Sequence, residues 1–243
     1  MRKYAIITQS RCGYQLLTHL MNSNRSILGL GEIFSNKIEV RRKSLFNNRI
    51  HVLDEKGSAV GYVRNTLTNY ANKSRKQIFG FKLNYTDCIE NQNWSSLWDE
   101  IANNKWHIIH LTRSNALDRA ISEKLANKQK RWNYKPYDTQ VRITFKELEF
   151  HYNRSIKWQQ KTNDRFRECP MYHLTYEELI RNKEDTCKKI QSFLGVKSQN
   201  LKCKLPKQRI GGQATFLINY RHLYSQCIIH PIYKKWLTDI PVI

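Results

Sequence analysis

Acidic residues are scarce in this 243-residue chain: 20 Asp and Glu stand against 42 Lys and Arg, a formal net charge of +22. The imbalance predicts a long-range positive field that draws anionic ligands and polyanions without naming one. Long hydrophobic runs are missing as well. No window of about 18 apolar residues occurs, which excludes a bilayer-spanning helix. The N-terminus passes from Met1, Arg2 and Lys3 straight into a short strand-like run that soon meets Gln9, Ser10 and Arg11, so it does not read as a signal peptide. A cytoplasmic location is expected. The six cysteines (Cys12, Cys88, Cys169, Cys187, Cys203 and Cys227) are dispersed, with no C-x-x-C pair and no Cys/His cluster of zinc spacing. Reduced thiols and no metal are expected from that scatter. No G-x-x-x-x-G-K-[ST] loop is present, which disfavours an ordinary P-loop ATPase. Internal repeats, C₂H₂ spacing and RNP motifs are absent too, and they would mark repeat and nucleic-acid-binding modules.

What is there reads as a packed globule. Apolar residues make up 40% of the chain, with 13 Tyr and 6 Trp, enough for one sizeable core. A single domain over residues 1–243 is expected. Strand candidates are Tyr4–Thr8, Ile78–Leu83, Trp106–Thr112 and Met171–Thr175, each short, apolar and set between helical patterns. That alternation predicts an α/β fold with a central, mostly parallel, doubly wound sheet flanked by helices. One helix carries Leu16, Leu17, Leu20 and Met21 on a stripe; another carries Leu117, Ala120, Ile121 and Leu125. Both stripes are expected to face the sheet. Capping boxes at Thr144 with Glu147 and Thr175 with Glu178 mark two further helix starts. The second opens a helix with Leu179, Ile180, Cys187, Ile190 and Leu194, stopped at Gly195. The basic stretches 39–76 and 128–142 lack a clean period and read as excursions over the carboxyl edge of the sheet, where substrates would approach.

Two segments about a hundred residues apart carry the chemistry. In Tyr4–Met21 and Trp106–Leu125 a buried strand breaks at a polar turn and restarts as an amphipathic helix. Such a turn places free backbone N–H groups and a cationic side chain at a strand's carboxyl end, which collects anions. In the first, Gly13 lets the backbone approach the anion, Tyr14 starts the helix and Arg11 adds a charged donor. In the second, Arg113 leaves the strand and Ser122 follows nine residues later on the helix, a guanidinium and a hydroxyl suited to a terminal phosphate. His110 sits in the preceding strand and reads first as a hydrogen-bonded strand histidine, with a catalytic base as the alternative. The aromatic and basic run 131–137 offers faces on which a sugar or base could stack, or an ordinary solvated loop.

The first loop, Arg11-Cys12-Gly13-Tyr14-Gln15-Leu16-Leu17, resembles the 5′-phosphosulfate loop of sulfotransferases that use 3′-phosphoadenosine 5′-phosphosulfate (PAPS), commonly written R-S-G-S/T-T/S-L-L. The run from Leu111 to Ser122 is similar to the 3′-phosphate motif of bacterial carbohydrate sulfotransferases of the trehalose and Nod-factor type. The segment Gly29–Phe34 resembles the place where the trehalose-type enzymes carry a catalytic Glu, here Glu32. Phe79–Leu83 resembles the G-x-K strand with Lys82, Leu174–Leu179 the late strand–helix unit that contains Tyr176, and Lys207-Gln208 with Ile218-Asn219-Tyr220 the terminal elements. The resemblance implies sulfuryl transfer from PAPS, leaving PAP, to the hydroxyl of a small molecule, glycan or glycolipid. The charge favours an acceptor that is itself anionic. The resemblance implies an α/β, P-loop-like three-layer fold, with Glu32, Arg11 and Lys82 for catalysis; His110 is the alternative base on its strand position alone. The resemblance also implies Ser10, Arg11, Cys12, Gly13, Tyr14, Gln15, Leu16, Arg113, Ser122 and Tyr176 for donor binding. Cys12, Tyr14 and Gln15 depart from the pattern, which has small hydroxyl residues there, and the Gln15 amide is the expected replacement donor. The alternatives are a non-enzymatic polyanion or nucleic-acid binder and a small-molecule kinase on a related fold; the latter lacks the Walker lysine and a Mg²⁺-binding carboxylate.

Overall fold

In the computed structural model the three central strands are largely buried on both faces, and alternation of period two sorts their side chains between two cores. Residues 1–34, 58–86, 94–130, 136–205 and 209–239 are described. They divide into two compact units, residues 1–112 with 158–203 and residues 113–157 with 204–243.

The first unit holds a five-stranded sheet in the order β2-β3-β1-β4-β5, every pair parallel. The strands are β1 (Arg2–Thr8), β2 (Ile27–Gly29), β3 (Ile78–Asn84), β4 (His107–Thr112) and β5 (Met171–Thr175). On one face Ala5, Ile7, Phe79, Phe81, Leu83 and Ile108 pack with Leu97, Trp98 and Ile101 of α2 (Ser95–Asn103) and with Trp158 and Phe166. On the other Tyr4, Ile6, Ile78, Ile109, Leu111 and Leu174 meet Leu17, Leu20 and Met21 of α1 (Tyr14–Asn22). A layer of helices on each face is what parallel strands require. The chain leaves β1 towards β2 on one side, and β4 is followed by β5 on the other. The switch point of the sheet therefore lies between β1 and β4, at the carboxyl ends Thr8 and Thr112.

Local departures from the sequence reading have identifiable causes. Strand β2 escapes pattern reading because only three residues pair. At its end the Asn22 carboxamide binds both peptide groups of Gly29, donating to its carbonyl at 2.9 Å and accepting from its N–H at 2.6 Å. Part of the 39–76 excursion is helical instead: Ala59–Gly61, a π-helical stretch Tyr62–Leu67 and Thr68–Lys73 run on from one another. Ala59, Val63, Leu67 and Ala71, four apart, are buried against the sheet core. Residues 35–57 lie outside the described residues, as do 131–135, 206–208 and Cys88.

The second unit is helical. The expectation that both stripes face the sheet fails for α3 (Ala116–Gln129). Its Leu117, Ala120, Ile121 and Leu125 pack with Leu148 of α4 (Phe145–Arg165) and with Tyr220, Leu223 and Cys227 of the C-terminal region. Those partners bring apolar stripes of their own, which cover α3 without a strand. The Thr144–Glu147 box forms reciprocally: the Glu147 N–H donates to Thr144 Oγ1 at 3.2 Å, and the Thr144 N–H to Glu147 Oε2 at 2.9 Å. In the first unit, the Glu178 N–H donates to Thr175 Oγ1 at 3.1 Å, but the helix beyond is broken. It forms α5 (Tyr176–Arg181) and α6 (Lys183–Phe193), with Asn182 in a non-helical conformation between them. Asn competes for backbone groups and favours such boundaries. The break leaves Ile180 exposed, while Leu179, Cys187, Ile190 and Leu194 stay in the core.

Two glycines should respond oppositely to the same methyl group. A Cβ at Gly80 would overlap the backbone carbonyl and ring of Tyr4 on the neighbouring strand; at Gly61 it would make only ordinary contact with Ser58. Gly80→Ala is expected to cost roughly 2 kcal/mol or more, and Gly61→Ala, in a helix, to stabilise by about 0.5 kcal/mol. Urea denaturation of the two variants checks both signs.

Candidate functional site

The loop after β1 is shaped by two left-handed residues, Arg11 at φ 68° and Gly13 at φ 87°. Gly13 also serves as N-cap of α1, and no side chain caps that helix, so its first-turn N–H groups are left to solvent or ligand. Tyr176, at the start of α5, lies flat against Gly13, where any Cβ would overlap its ring. Ser10 is exposed. Cys12 turns inward: it is 2% exposed, packs in the core under α1, and its Sγ lies 3.9 Å from the Ser10 carbonyl. Leu16 packs against the same core. These two positions can therefore offer an anion only their backbone.

Opposite the loop, β3 presents Lys82. Its side chain is 1% exposed and forms an ion pair with Glu32, which follows β2. The ammonium also lies 3.8 Å from the centre of the Tyr14 ring. The Glu32 carboxylate and the Gln15 side chain both act on the Tyr14 phenol. Burial and the Glu32 charge push the Tyr14 phenol well above its ordinary range, so it stays protonated and a donor. A buried ammonium is tolerated only with a counter-charge, and Glu32 supplies it. Glu32, Lys82, Tyr14 and Gln15, four of the sequence-nominated residues, are thereby brought together at the start of α1, with the Arg11 charge acting on the same phenol.

His110 is 2% exposed on the opposite face of the sheet from the α1 core. Its Nε2 lies 2.6 Å from the Tyr85 hydroxyl, its Nδ1 3.1 Å from Asn163 Oδ1, and the His173 ring is 5.5 Å away. Burial first, then the His173 charge, push its pKa down to about 4. With both ring nitrogens engaged and little basicity left, the imidazole is a structural connector of β4 to its neighbours.

The second motif lies in the second unit. Asn115 caps α3 by accepting from the Asp118 N–H at 2.9 Å, and its amide donates to the Trp236 carbonyl at 2.9 Å. Asp118 gathers three donors: Arg113 Nη2 at 3.4 Å, Arg209 Nη2 at 2.7 Å and Gln213 Nε2 at 3.1 Å. Ser122 is buried one helical turn farther on. Asp118, Arg209 and Gln213 were not among the residues nominated from sequence. An acidic residue three positions after an Asn cap is a signal for the first; a basic residue followed by the Gly211-Gly212 pair is the only local signal for Arg209.

Residues 105–200 match the model of the Sulfotransferase family. The matched stretch contains Arg113, Ser122 and Tyr176. No curated protein matches the chain. Solved structures that align with it include a sulfotransferase from Alicyclobacillus acidocaldarius, at 14% identity and a TM-score of 0.46, covering 87% of this chain and 86% of that one. The sulfotransferase domain of the Synechococcus PCC 7002 olefin synthase aligns at 13% identity and a TM-score of 0.46, over 99% and 96% of the two chains. The mouse sulfotransferase SULT7A1, complexed with PAP, aligns at 10% identity and a TM-score of 0.46, over 96% and 87%. No described helix is long and apolar enough to cross a membrane.

The His110 environment predicts an acid-sensitive step in stability. Its folded pKa of about 4 lies below the unfolded value near 6.5, so the unfolded chain binds the proton more tightly. The contribution of the neutral imidazole is fully present above about pH 6.5 and is lost as pH falls towards 4, by at most about 1.4 kcal/mol per pH unit. His110→Gln carries no charge at either pH. The loss in urea midpoint between pH 7 and pH 4.5 is expected to be smaller in that variant than in the wild type.

Proposed function

We propose that this chain is a PAPS-dependent sulfotransferase, residues 1–243 acting as one domain, that transfers the sulfuryl group to a hydroxyl of a carbohydrate or glycolipid. The observation that carries the reading is the buried Lys82 ammonium, held by Glu32 beside the first residue of an uncapped helix. A cation, free N–H groups and a carboxylate within one cluster are what in-line transfer of an anionic group to a hydroxyl needs. The Sulfotransferase family match over residues 105–200 supports the same reading.

In the reaction the bond from sulfur to the oxygen bridging the 5′-phosphate breaks, a bond from sulfur to the acceptor oxygen forms, and PAP leaves. Arg11, Lys82 and the N–H groups at the start of α1 take up the charge that develops on the bridging oxygen. The Glu32 carboxylate receives the acceptor proton. Glu32 is preferred to His110 as base because the histidine is engaged at both nitrogens and weakly basic. Arg113 and Ser122 are assigned to the 3′-phosphate on the sequence resemblance. The 3.4 Å contact of Arg113 with Asp118 is long for a charge-assisted bond, so the guanidinium can exchange it for a phosphate. The bacterial carbohydrate subtype and an anionic acceptor are part of the proposal; the +22 charge favours the latter.

Two outcomes are expected. PAP should raise the melting temperature more than 5′-ADP does, by an affinity difference of a couple of kcal/mol, and Arg113→Ala should remove the preference without unfolding the protein. Equal shifts for the two nucleotides would overturn the donor assignment. In turnover with PAPS and a carbohydrate acceptor, Glu32→Gln should lower the rate by roughly 10²- to 10⁴-fold at nearly unchanged PAP affinity, whereas a His110 substitution with the larger effect would reassign the base.

A further inference from the structure

The position of Tyr14 departs from the pattern its loop resembles, where a small hydroxyl residue stands, and the structure gives the larger side chain a task. Its ring carries the Lys82 ammonium 3.8 Å from its centre. The Glu32 charge also acts on its phenol, and Glu32 is ion-paired with Lys82. Lys82 comes from β3, Tyr14 from α1 and Glu32 from the segment after β2, so three separate elements close one cluster. A Ser or Thr at position 14 has neither a π-face for the cation nor the reach of a phenol.

We infer that Tyr14 is a positioning residue that acts through Lys82: its ring fixes the ammonium at the start of α1, beside the carboxylate that balances the charge. An ammonium has three N–H donors on a flexible four-carbon stem. One is spent on Glu32 and one face is turned to the ring, so the lysine is preorganised and still holds a donor for an anion. Burial keeps the phenol protonated, and the cluster persists at neutral pH. The loop has thus exchanged a hydroxyl of its own for a cation delivered from β3. The consequence for donor binding rests on the sulfotransferase reading; the clamp itself does not.

The test is a double-mutant cycle of Tyr14→Leu, Lys82→Met and the pair, with Tyr14→Phe as the conservative variant. Calorimetric titration with PAPS reads the donor, and urea denaturation reads the clamp without any ligand. Tyr14→Phe keeps the ring and is expected to hold PAPS within about threefold of the wild type. Tyr14→Leu should weaken PAPS by about tenfold, in keeping with a desolvated ring–cation contact. In the Lys82→Met background, Tyr14→Leu should add less than about twofold, because its effect passes through the lysine. Equal effects of Tyr14→Leu in both backgrounds, or wild-type PAPS affinity in Tyr14→Leu, would overturn the inference. If the wild type binds neither PAPS nor PAP, the functional reading fails, and the urea cycle decides the clamp: non-additive losses support it and additive losses overturn it. Should Tyr14→Leu not fold, Tyr14→Met takes its place in the cycle.

Discussion

The burial of β1 on both faces and both edges is the constraint from which the rest of the first unit follows. Paired in parallel with β3 on one side and, from Tyr4 onward, with β4 on the other, it buries every side chain from Tyr4 to Ile7, none of them charged. Even Thr8 is fully buried, its hydroxyl donating to the Leu111 carbonyl at 2.6 Å. Polar chemistry can begin only where the strand ends. The tight left-handed turn at Arg11 and Gly13, the uncapped start of α1 and the approach of Lys82 along the neighbouring strand all occupy that end.

Among the described residues, three charges buried in the interior each have an opposite partner. Lys82 has Glu32 and the Tyr14 ring; Glu100, almost fully buried, has Arg64 at 2.7 Å and Lys3 at 3.9 Å; Arg119, 2% exposed, has Glu123 at 2.7 Å. Such pairs contribute little net stability, but the loss of one partner leaves an uncompensated charge. Around Asp118 two guanidiniums share one carboxylate.

Four strands were legible because a buried parallel strand is a run of apolar residues bounded by polar turns, and β1, β3, β4 and β5 fall within one or two residues of the expected bounds. Strand β2 was not, because three residues carry no period. The turn after β1 was legible from Gly13, whose backbone demand is local. The turn of Cys12 into the core was not, because which way a side chain points depends on the helix that packs above it. Tyr14 and Lys82 are 68 positions apart in sequence, and their contact depends on the order of the strands. The helix after Thr175 was read as continuous because its apolar spacing runs on across Asn182. The break there is set by a backbone conformation that hydrophobic periodicity does not record.

An open sheet ends in strands whose outer peptide groups can recruit a strand from another molecule. At the β2 edge, one Asn22 carboxamide, with its carbonyl and its amino group side by side, accepts from and donates to Gly29 as a neighbouring peptide would. It acts as a one-residue imitation of a sixth strand, supplied from the end of α1. Because β2 is only three residues long, that single amide occupies most of what a recruiting edge would need. Among the described residues, an apolar side chain in place of Asn22 would take away the partner of both peptide groups of Gly29.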